Sequence, residues 1–264
     1  MPTALITGAS SGLGEQFAYA LGREHYDLVL VARREDRLAE VAGRARTAGS
    51  GTVRIVPVDL ARHETPAALY QQLAGDGVQI DYLVNNAGFG TTGSFHLLPL
   101  ERELEEIELN VTSLVAMTRL FLPAMVERRR GTVINVASTA AFQATPYMAT
   151  YGASKAFVLS FSEAVAAELR GTGVTVMAFC PGPVHTEFQK VANNERMHAP
   201  SFMWTEADQV VSQAIAAAAS GRSVCVAGAL NNALVIASKF APRALSTYVA
   251  STMMRPSSVE KTHK

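Results

Sequence analysis

The sequence predicts an α/β fold, a doubly wound seven-stranded parallel sheet with helices on both faces. Short apolar, β-branched runs alternate with longer stretches of helical period, the signature of βαβ units. The 264 residues are 48% hydrophobic and 17% charged, enough to bury a sizeable core in one unit. A glycine-rich turn joins the first strand to the first helix, where such sheets take ligands. The first strand, 3–7, is the run Thr3-Ala4-Leu5-Ile6-Thr7, followed by helical period at 13–24. Strands at 27–32 and 52–58 flank a helix at 34–48, and a helix at 63–74 leads to a fourth strand at 80–85. The longest helical stretch, 100–129, precedes strand five at 131–137. A helix at 151–171, strand six at 174–180, a helix at 205–219 and strand seven at 223–227 complete the alternation. Right-handed crossovers bring every strand's carboxyl end to one edge.

No Pro/Ser-rich linker or repeat divides the chain, so one domain is expected over 1–264, with a substrate loop at about 183–204 and an apolar, basic tail at about 229–264. The 23 basic and 23 acidic residues cancel, which argues against nucleic acid as a partner. Two cysteines, Cys180 and Cys225, on strands that could be neighbours, make no disulfide framework and suit a reducing cytoplasm as buried thiols. The amino terminus lacks a basic segment and its apolar run breaks at Thr7 and Gly8, so no signal peptide is expected, and no run of about 18 apolar residues predicts a membrane span. The six histidines, at 25, 63, 96, 185, 198 and 263, show no metal-ligand spacing. Arg128-Arg129-Arg130 is expected to face a helix dipole, and Asn110-Val111-Thr112, inside a helical stretch, is discounted as a glycosylation acceptor. Between Gln209 and Val259 no acidic residue occurs, while Arg222, Lys239, Arg243 and Arg255 are basic. That stretch suits a helix covering the sheet edge, a partner subunit, or peripheral contact with an anionic membrane.

Thr7-Gly8-Ala9-Ser10-Ser11-Gly12-Leu13-Gly14 sets three glycines where a strand turns into a helix. Glycine permits close backbone approach, and the N–H groups of the helix start point at an anion. The same residues read as G-x-S-x-G, with Ser10 as a hydrolase nucleophile, but only one strand precedes Ser10 and no tight oxyanion loop is present. Tyr151 and Lys155, spaced i and i+4, share a helix face, so an ammonium adjoins a phenol and favours its phenolate. Asn135-Val136-Ala137-Ser138 ends strand five, Asn85-Asn86-Ala87-Gly88 ends strand four, and Pro181-Gly182 with Thr186 follows strand six.

Taken together, these residues resemble a short-chain dehydrogenase/reductase over about residues 3–228. The resemblance rests on T-G-x-x-x-G-x-G at Thr7 to Gly14, Asp59, N-N-A-G at Asn85 to Gly88, Asn110, Ser138, Y-x-x-x-K at Tyr151 and Lys155, and Pro181-Gly182. It implies a Rossmann-like fold and interconversion of a carbonyl and a secondary alcohol. Tyr151 is then the general acid, Ser138 holds the carbonyl oxygen, Lys155 lowers the tyrosine pKa and binds the ribose, and Asn110 anchors a water relay. The dinucleotide is expected along Gly8, Ser10, Ser11, Gly12, Leu13, Gly14, Asp59, Leu60, Asn86, Ala87, Gly88, Pro181, Gly182, Val184 and Thr186. A homodimer or homotetramer is the family expectation, helped by the alanine-rich helix around Ala153 to Ala167. A dinucleotide-binding regulator without catalysis is the main alternative, although it would not need Ser138, Tyr151, Lys155 and Asn110 together. A serine hydrolase at Ser10, or an epimerase or dehydratase using the same tyrosine, are the others.

Strand two ends in Val31-Ala32-Arg33-Arg34, where an NAD site wants an acid for the ribose 2′-hydroxyl. A guanidinium binds a 2′-phosphate instead, so NADP(H) is expected, read mainly by Arg33 with Arg34 or Ser10 helping. Phe89, Phe95, Phe142, Tyr147, Met148, Phe188, Met197, Phe202, Met203 and Trp204 fall in the loops that would line the substrate pocket. Their apolar character predicts a lipophilic ketone or aldehyde, with 183–204 serving as a lid.

Overall fold

The structure, a computed structural model, describes residues 1–192 and 204–253. Seven strands, β1 Thr3–Thr7, β2 Asp27–Ala32, β3 Val53–Pro57, β4 Tyr82–Asn85, β5 Gly131–Val136, β6 Val174–Cys180 and β7 Val224–Val226, form one sheet. The order is β3-β2-β1-β4-β5-β6-β7 and every pair is parallel. The reversal between β1 and β4 is the switch point where a ligand crevice forms beyond the strand ends.

The helices are α1 Gly12–Arg23, α2 Glu35–Ala48, α3 Thr65–Gly75, α4 Leu100–Ile107, α5 Leu114–Glu127, α6 Ala149–Glu168, α7 Phe188–Val191, α8 Ala207–Ala219, α9 Ala229–Phe240 and α10 Arg243–Met253. Strand alternation assigns the two faces. Ala4, Ile6, Leu28 and Leu30 pack with Phe17 and Leu21 of α1, Leu38 and Val41 of α2, and Val210 and Val211 of α8. Leu5, Val29 and Val31 point the other way, onto Leu69 and Leu73 of α3 and Met117, Phe121 and Met125 of α5. Cys180 and Cys225 lie buried as free thiols on the paired strands β6 and β7.

Sequence and structure part company in three places. The expected helix 100–129 is three segments, because a π-helical stretch, Glu108–Ser113, separates α4 from α5. The wider turn sets Asn110 inward, and such bulges cluster at functional sites. This 28-residue run, Leu100–Glu127, has the length and apolar content of a membrane span. It nevertheless packs on α6 and the sheet through polar contacts, Asn110 Nδ2 to Ser154 Oγ of α6 at 3.1 Å and Asn85 Nδ2 of β4 to Thr118 Oγ1 at 3.0 Å. Second, the arginines after α5 serve neighbouring segments rather than its dipole: Arg128 donates to Ile80 O at 2.9 Å, Arg130 pairs with Asp81 at 3.3 Å, and Arg129 donates to Gly171 O at 3.0 Å. Third, the tail expected as one helix is two, because Pro242 lacks the N–H that would continue α9 into α10. The described part of the substrate loop holds α7, and a parallel bridge joins Val184 to Thr205.

Candidate active site

The site begins where β1 meets α1. Gly8 and Gly12 adopt φ of +64° and +59°, conformations that favour glycine. A methyl group on Gly14 would enter the shell of the Gly8 carbonyl oxygen and lie 2.6 Å from Asn86 Nδ2. The turn is bolted to β4: Asn86 Nδ2 donates to Thr7 O at 2.9 Å and Gly8 O at 3.2 Å, while the N–H groups of Asn86 and Ala87 both donate to Thr7 Oγ1 at 2.9 Å.

Beyond this turn a cleft of about 550 Å³ runs along the carboxyl ends of the strands. Its walls hold Gly8, Ser10, Ser11, Gly12, Leu13, Arg33, Arg34, Asp59, Leu60, Asn86, Ala87, Gly88, Ser138, Tyr151, Lys155, Pro181, Gly182, Val184 and Thr186. Of the residues expected to bind the dinucleotide or act in catalysis, Gly14 and Asn110 are the two off the wall. Gly14 underlies the turn, and Asn110 sits behind the cleft, clasping Phe89 through Nδ2 to its carbonyl at 2.8 Å and its N–H to Oδ1 at 3.1 Å.

At one end of the cleft, β2 stops at Ala32 and is followed by Arg33 and Arg34. Arg33 Nη1 lies 3.5 Å from Glu105 Oε1 and 3.9 Å from Asp59 Oδ2, with its side chain 57% exposed. Arg34 Nη2 reaches Ser10 Oγ at 3.3 Å and Glu187 Oε2 at 3.0 Å. Sequence reading did not single out Glu187, an ordinary acid beside Thr186 until the fold brings it across to Arg34. None of the hydrogen bonds among the described residues joins Ser10 to a histidine, the contact a serine nucleophile would require.

At the other end stand Ser138, Tyr151 and Lys155. Ser138 caps the short 3₁₀ turn Thr139–Phe142, accepting from Ala140 N at 3.1 Å. Lys155, one turn along α6, donates to Val136 O at 2.8 Å and lies 5.8 Å from the Tyr151 ring centre. Burial pushes the Tyr151 phenol up to about 12, against the pull of the Ser138 hydroxyl, and burial brings Lys155 down to about 8 while Glu106 opposes the fall. At neutral pH the phenol is therefore protonated and the amine cationic; the expected lowering of the Tyr151 phenol by Lys155 is not found, because burial outweighs it. Gly88 makes room for the group, since a Cβ there would meet Asn110 Oδ1 at 2.7 Å and Lys155 Nζ at 3.4 Å.

Behind these residues lies an acidic pair that sequence reading missed, because two glutamates three apart on a helix normally face water. Glu103 and Glu106 are buried, and the Thr91 hydroxyl contacts both, Glu106 Oε2 at 2.9 Å. Burial raises the Glu106 carboxyl from 4.5 to about 7, helped by the neighbouring Glu103 and opposed by Thr91 and Lys155. The folded state thus binds this proton more tightly than the unfolded chain, and loses stability as pH rises from about 4.5 to about 7. Glu106→Gln is expected to exceed the parent in stability by about 1–3 kcal/mol at pH 8. Urea denaturation should show that gain vanish below about pH 4.5, and equal stabilities at pH 8 would contradict it.

Of the aromatic and methionine residues expected in the pocket, Phe89, Met148 and Phe188 line the cleft, with Phe188 5.3 Å from the Tyr151 ring. Phe95 is instead exposed, Phe142 packs toward the cluster of β5, β6 and α6, and Tyr147, in a turn with φ +66°, is not on the wall. Trp204 stacks on His185 at 4.8 Å, while Met197, Phe202 and Met203 lie outside the described residues. Gln143, Gln189 and Ala250 also line the cleft and were not anticipated.

The short chain dehydrogenase family model matches residues 2–197. The chain is 34% identical over 221 residues to the ketoacyl reductase HetN of Nostoc sp., covering 84% of this chain and 76% of that protein. It is 33% identical over 226 residues to 17-beta-hydroxysteroid dehydrogenase type 3 of Mus musculus, covering 84% and 70%. A short-chain dehydrogenase from Sphingobium yanoikuyae in complex with NADPH superposes with a TM-score of 0.80 at 32% identity, over 92% of this chain and 98% of that one. With this sheet order, glycine turn and Ser, Tyr and Lys at one cleft, the chain belongs to the short-chain dehydrogenase/reductase family of oxidoreductases.

Proposed function

We propose that this protein is an NADP(H)-dependent reductase of lipophilic ketones or aldehydes, with Tyr151 as general acid. The observation that carries this reading is one continuous cleft with two guanidinium groups at one end and Ser138, Tyr151 and Lys155 at the other. The cradle fits a dinucleotide: Gly8 and Gly12 at positive φ on the cleft wall, the first-turn N–H groups of α1 beneath it, and no Cβ room at Gly14. Gly8 to Leu13 would hold the pyrophosphate, Asp59 and Leu60 the adenine, Asn86 to Gly88 with Lys155 the nicotinamide ribose, and Pro181 to Thr186 the carboxamide end. The bound dinucleotide supplies the hydride.

The chain's own residues do the rest. Ser138 orients the carbonyl oxygen, and Tyr151 Oη gives its proton to that oxygen. Lys155, held by the Val136 carbonyl, stabilises the phenolate that remains, and the Asn110 side leads the replacement proton back to Lys155. Proton transfer of this kind contributes about 10² to 10⁴ in rate. Phe89, Met148 and Phe188 exclude water from the reacting carbon and favour an apolar substrate over a sugar. In the oxidative direction the same groups act in reverse.

Arg33 and Arg34 support the 2′-phosphate assignment, since each now rests against a carboxylate and can exchange it for a phosphate. Fluorescence titration should show NADPH binding about ten- to a hundredfold more tightly than NADH, on the basis of about 1.5–3 kcal/mol for a charge-assisted hydrogen bond. Arg33→Ala is expected to erase most of that ratio through NADPH alone, and equal losses for both dinucleotides would refute the assignment. Self-association is supported by Phe95, Leu97, Leu100, Leu104 and Phe157, all exposed around α4 and α6. A homodimer or homotetramer by light scattering is the expected result, in the reducing cytoplasm that the two free thiols suit.

A further inference from the structure

Outside the cleft, the carboxyl-terminal pair of helices departs from ordinary surface chemistry. A helix on a protein surface turns its apolar stripe inward, and α9 does the reverse. Leu230, Ala233, Leu234, Ile236, Ala237 and Phe240 are all exposed, and at 100° per residue they cover a continuous arc of about 160°. The inward side carries Asn231, whose Nδ2 donates to Ala227 O at 3.2 Å, and Val235. On α10, Leu245, Tyr248 and Val249 follow i, i+3 and i+4 on another exposed face, with Tyr248 at 70% exposure, and Phe240 at the end of α9 is 85% exposed.

The stretch that carries both helices is basic in sequence: no Asp or Glu occurs between Gln209 and Val259, and Arg222 and Arg243 are exposed. A second copy of the chain meeting this face about a two-fold axis would set the same basic residues against themselves, with no carboxylate in the stretch to pair them. An anionic bilayer offers hydrocarbon for the leucines and negative headgroups for the arginines at once. We infer that α9 and α10 form a peripheral membrane-docking surface for anionic lipid. Ala250 of α10 lines the catalytic cleft, so the docked enzyme would draw its substrate from the bilayer. That last clause rests on the proposed lipophilic substrate; the docking itself does not.

The test is sedimentation of the full chain with phosphatidylcholine vesicles, with and without phosphatidylserine. The full chain should bind the phosphatidylserine vesicles at least tenfold more tightly than phosphatidylcholine alone, and high salt should weaken that binding. The Ile236→Glu/Phe240→Glu variant should lose at least tenfold in vesicle affinity while its NADPH affinity is unchanged. Arg243→Gln, an exposed substitution of low folding risk, should lose about fivefold, the equivalent of about 1 kcal/mol for one basic residue at such a surface. No partition of the parent onto phosphatidylserine vesicles would overturn the inference. So would a parent oligomer that light scattering shows the double variant to dissociate, because a second copy would then cover this face. Both outcomes leave the NADPH titration standing, so the docking surface and the reductase reading fail separately.

Discussion

Tyr151→Phe is expected to lower kcat by at least about 10³, within the range contributed by a positioned general acid, with NADPH affinity changed less than about threefold. The phenylalanine keeps the ring that packs 5.3 Å from Phe188 and against Gly90, so the cleft retains its shape. What it loses is the proton held where Ser138 and Lys155 converge. The Lys155 ammonium is no substitute, since it is tied to the Val136 carbonyl at 2.8 Å. Folding should be almost indifferent, because burial disfavours ionisation of the phenol, pushed up to about 12, and the variant has no charge to desolvate. Stopped-flow measurement of NADPH oxidation against a panel of apolar ketones reads both quantities. Activity above about a tenth of the parent's would remove Tyr151 from the chemistry and return weight to the dinucleotide-binding regulator.

How much of this was legible in the chain depends on what kind of physics each feature obeys. Strands β1, β2 and β6 start and stop as predicted, because buried parallel strands are apolar runs punctuated by glycine, arginine or proline, all local signals. Ser138, Tyr151 and Lys155 were readable as a group because each follows a strand or opens a helix on one edge, a consequence of topology alone. The π-helical stretch was not, since nothing in Glu108-Leu109-Asn110-Val111-Thr112-Ser113 breaks helical period, and the bulge arises from Asn110 engaging the Phe89 backbone. Glu103 and Glu106 were invisible for a related reason. A carboxylate is read as solvent-facing until a tertiary partner such as Thr91 covers it. The outward apolar face of α9 likewise contradicts the usual inward reading of a leucine stripe, and only the fold shows which side of the helix Asn231 occupies.

The second large effect is expected from two glycine substitutions of opposite sign. Gly43 lies inside α2, exposed, and a Cβ added there would meet nothing within 4 Å, so Gly43→Ala should stabilise the protein by about 0.5–1 kcal/mol through helix propensity. Gly14→Ala puts the same methyl group against the Gly8 carbonyl and 2.6 Å from Asn86 Nδ2. Neither neighbour can yield cheaply: Gly8 is backbone at φ +64°, and Asn86 is committed to Thr7 O and Gly8 O. Relief requires α1 to lift from the β1 end, which opens the turn that the dinucleotide is proposed to occupy. The expected result is a loss of about 1–3 kcal/mol, the scale of overpacking, together with at least a tenfold loss in NADPH affinity. Chemical denaturation and the NADPH titration measure the two halves. A Gly14→Ala protein as stable as the parent with full NADPH affinity would mean that α1 and β1 do not meet as described, and the cradle would have to be rebuilt. A variant destabilised but still binding tightly would separate the packing of this turn from its pyrophosphate role, and would shift the dinucleotide's anchoring onto Asn86, Lys155 and the arginines after β2.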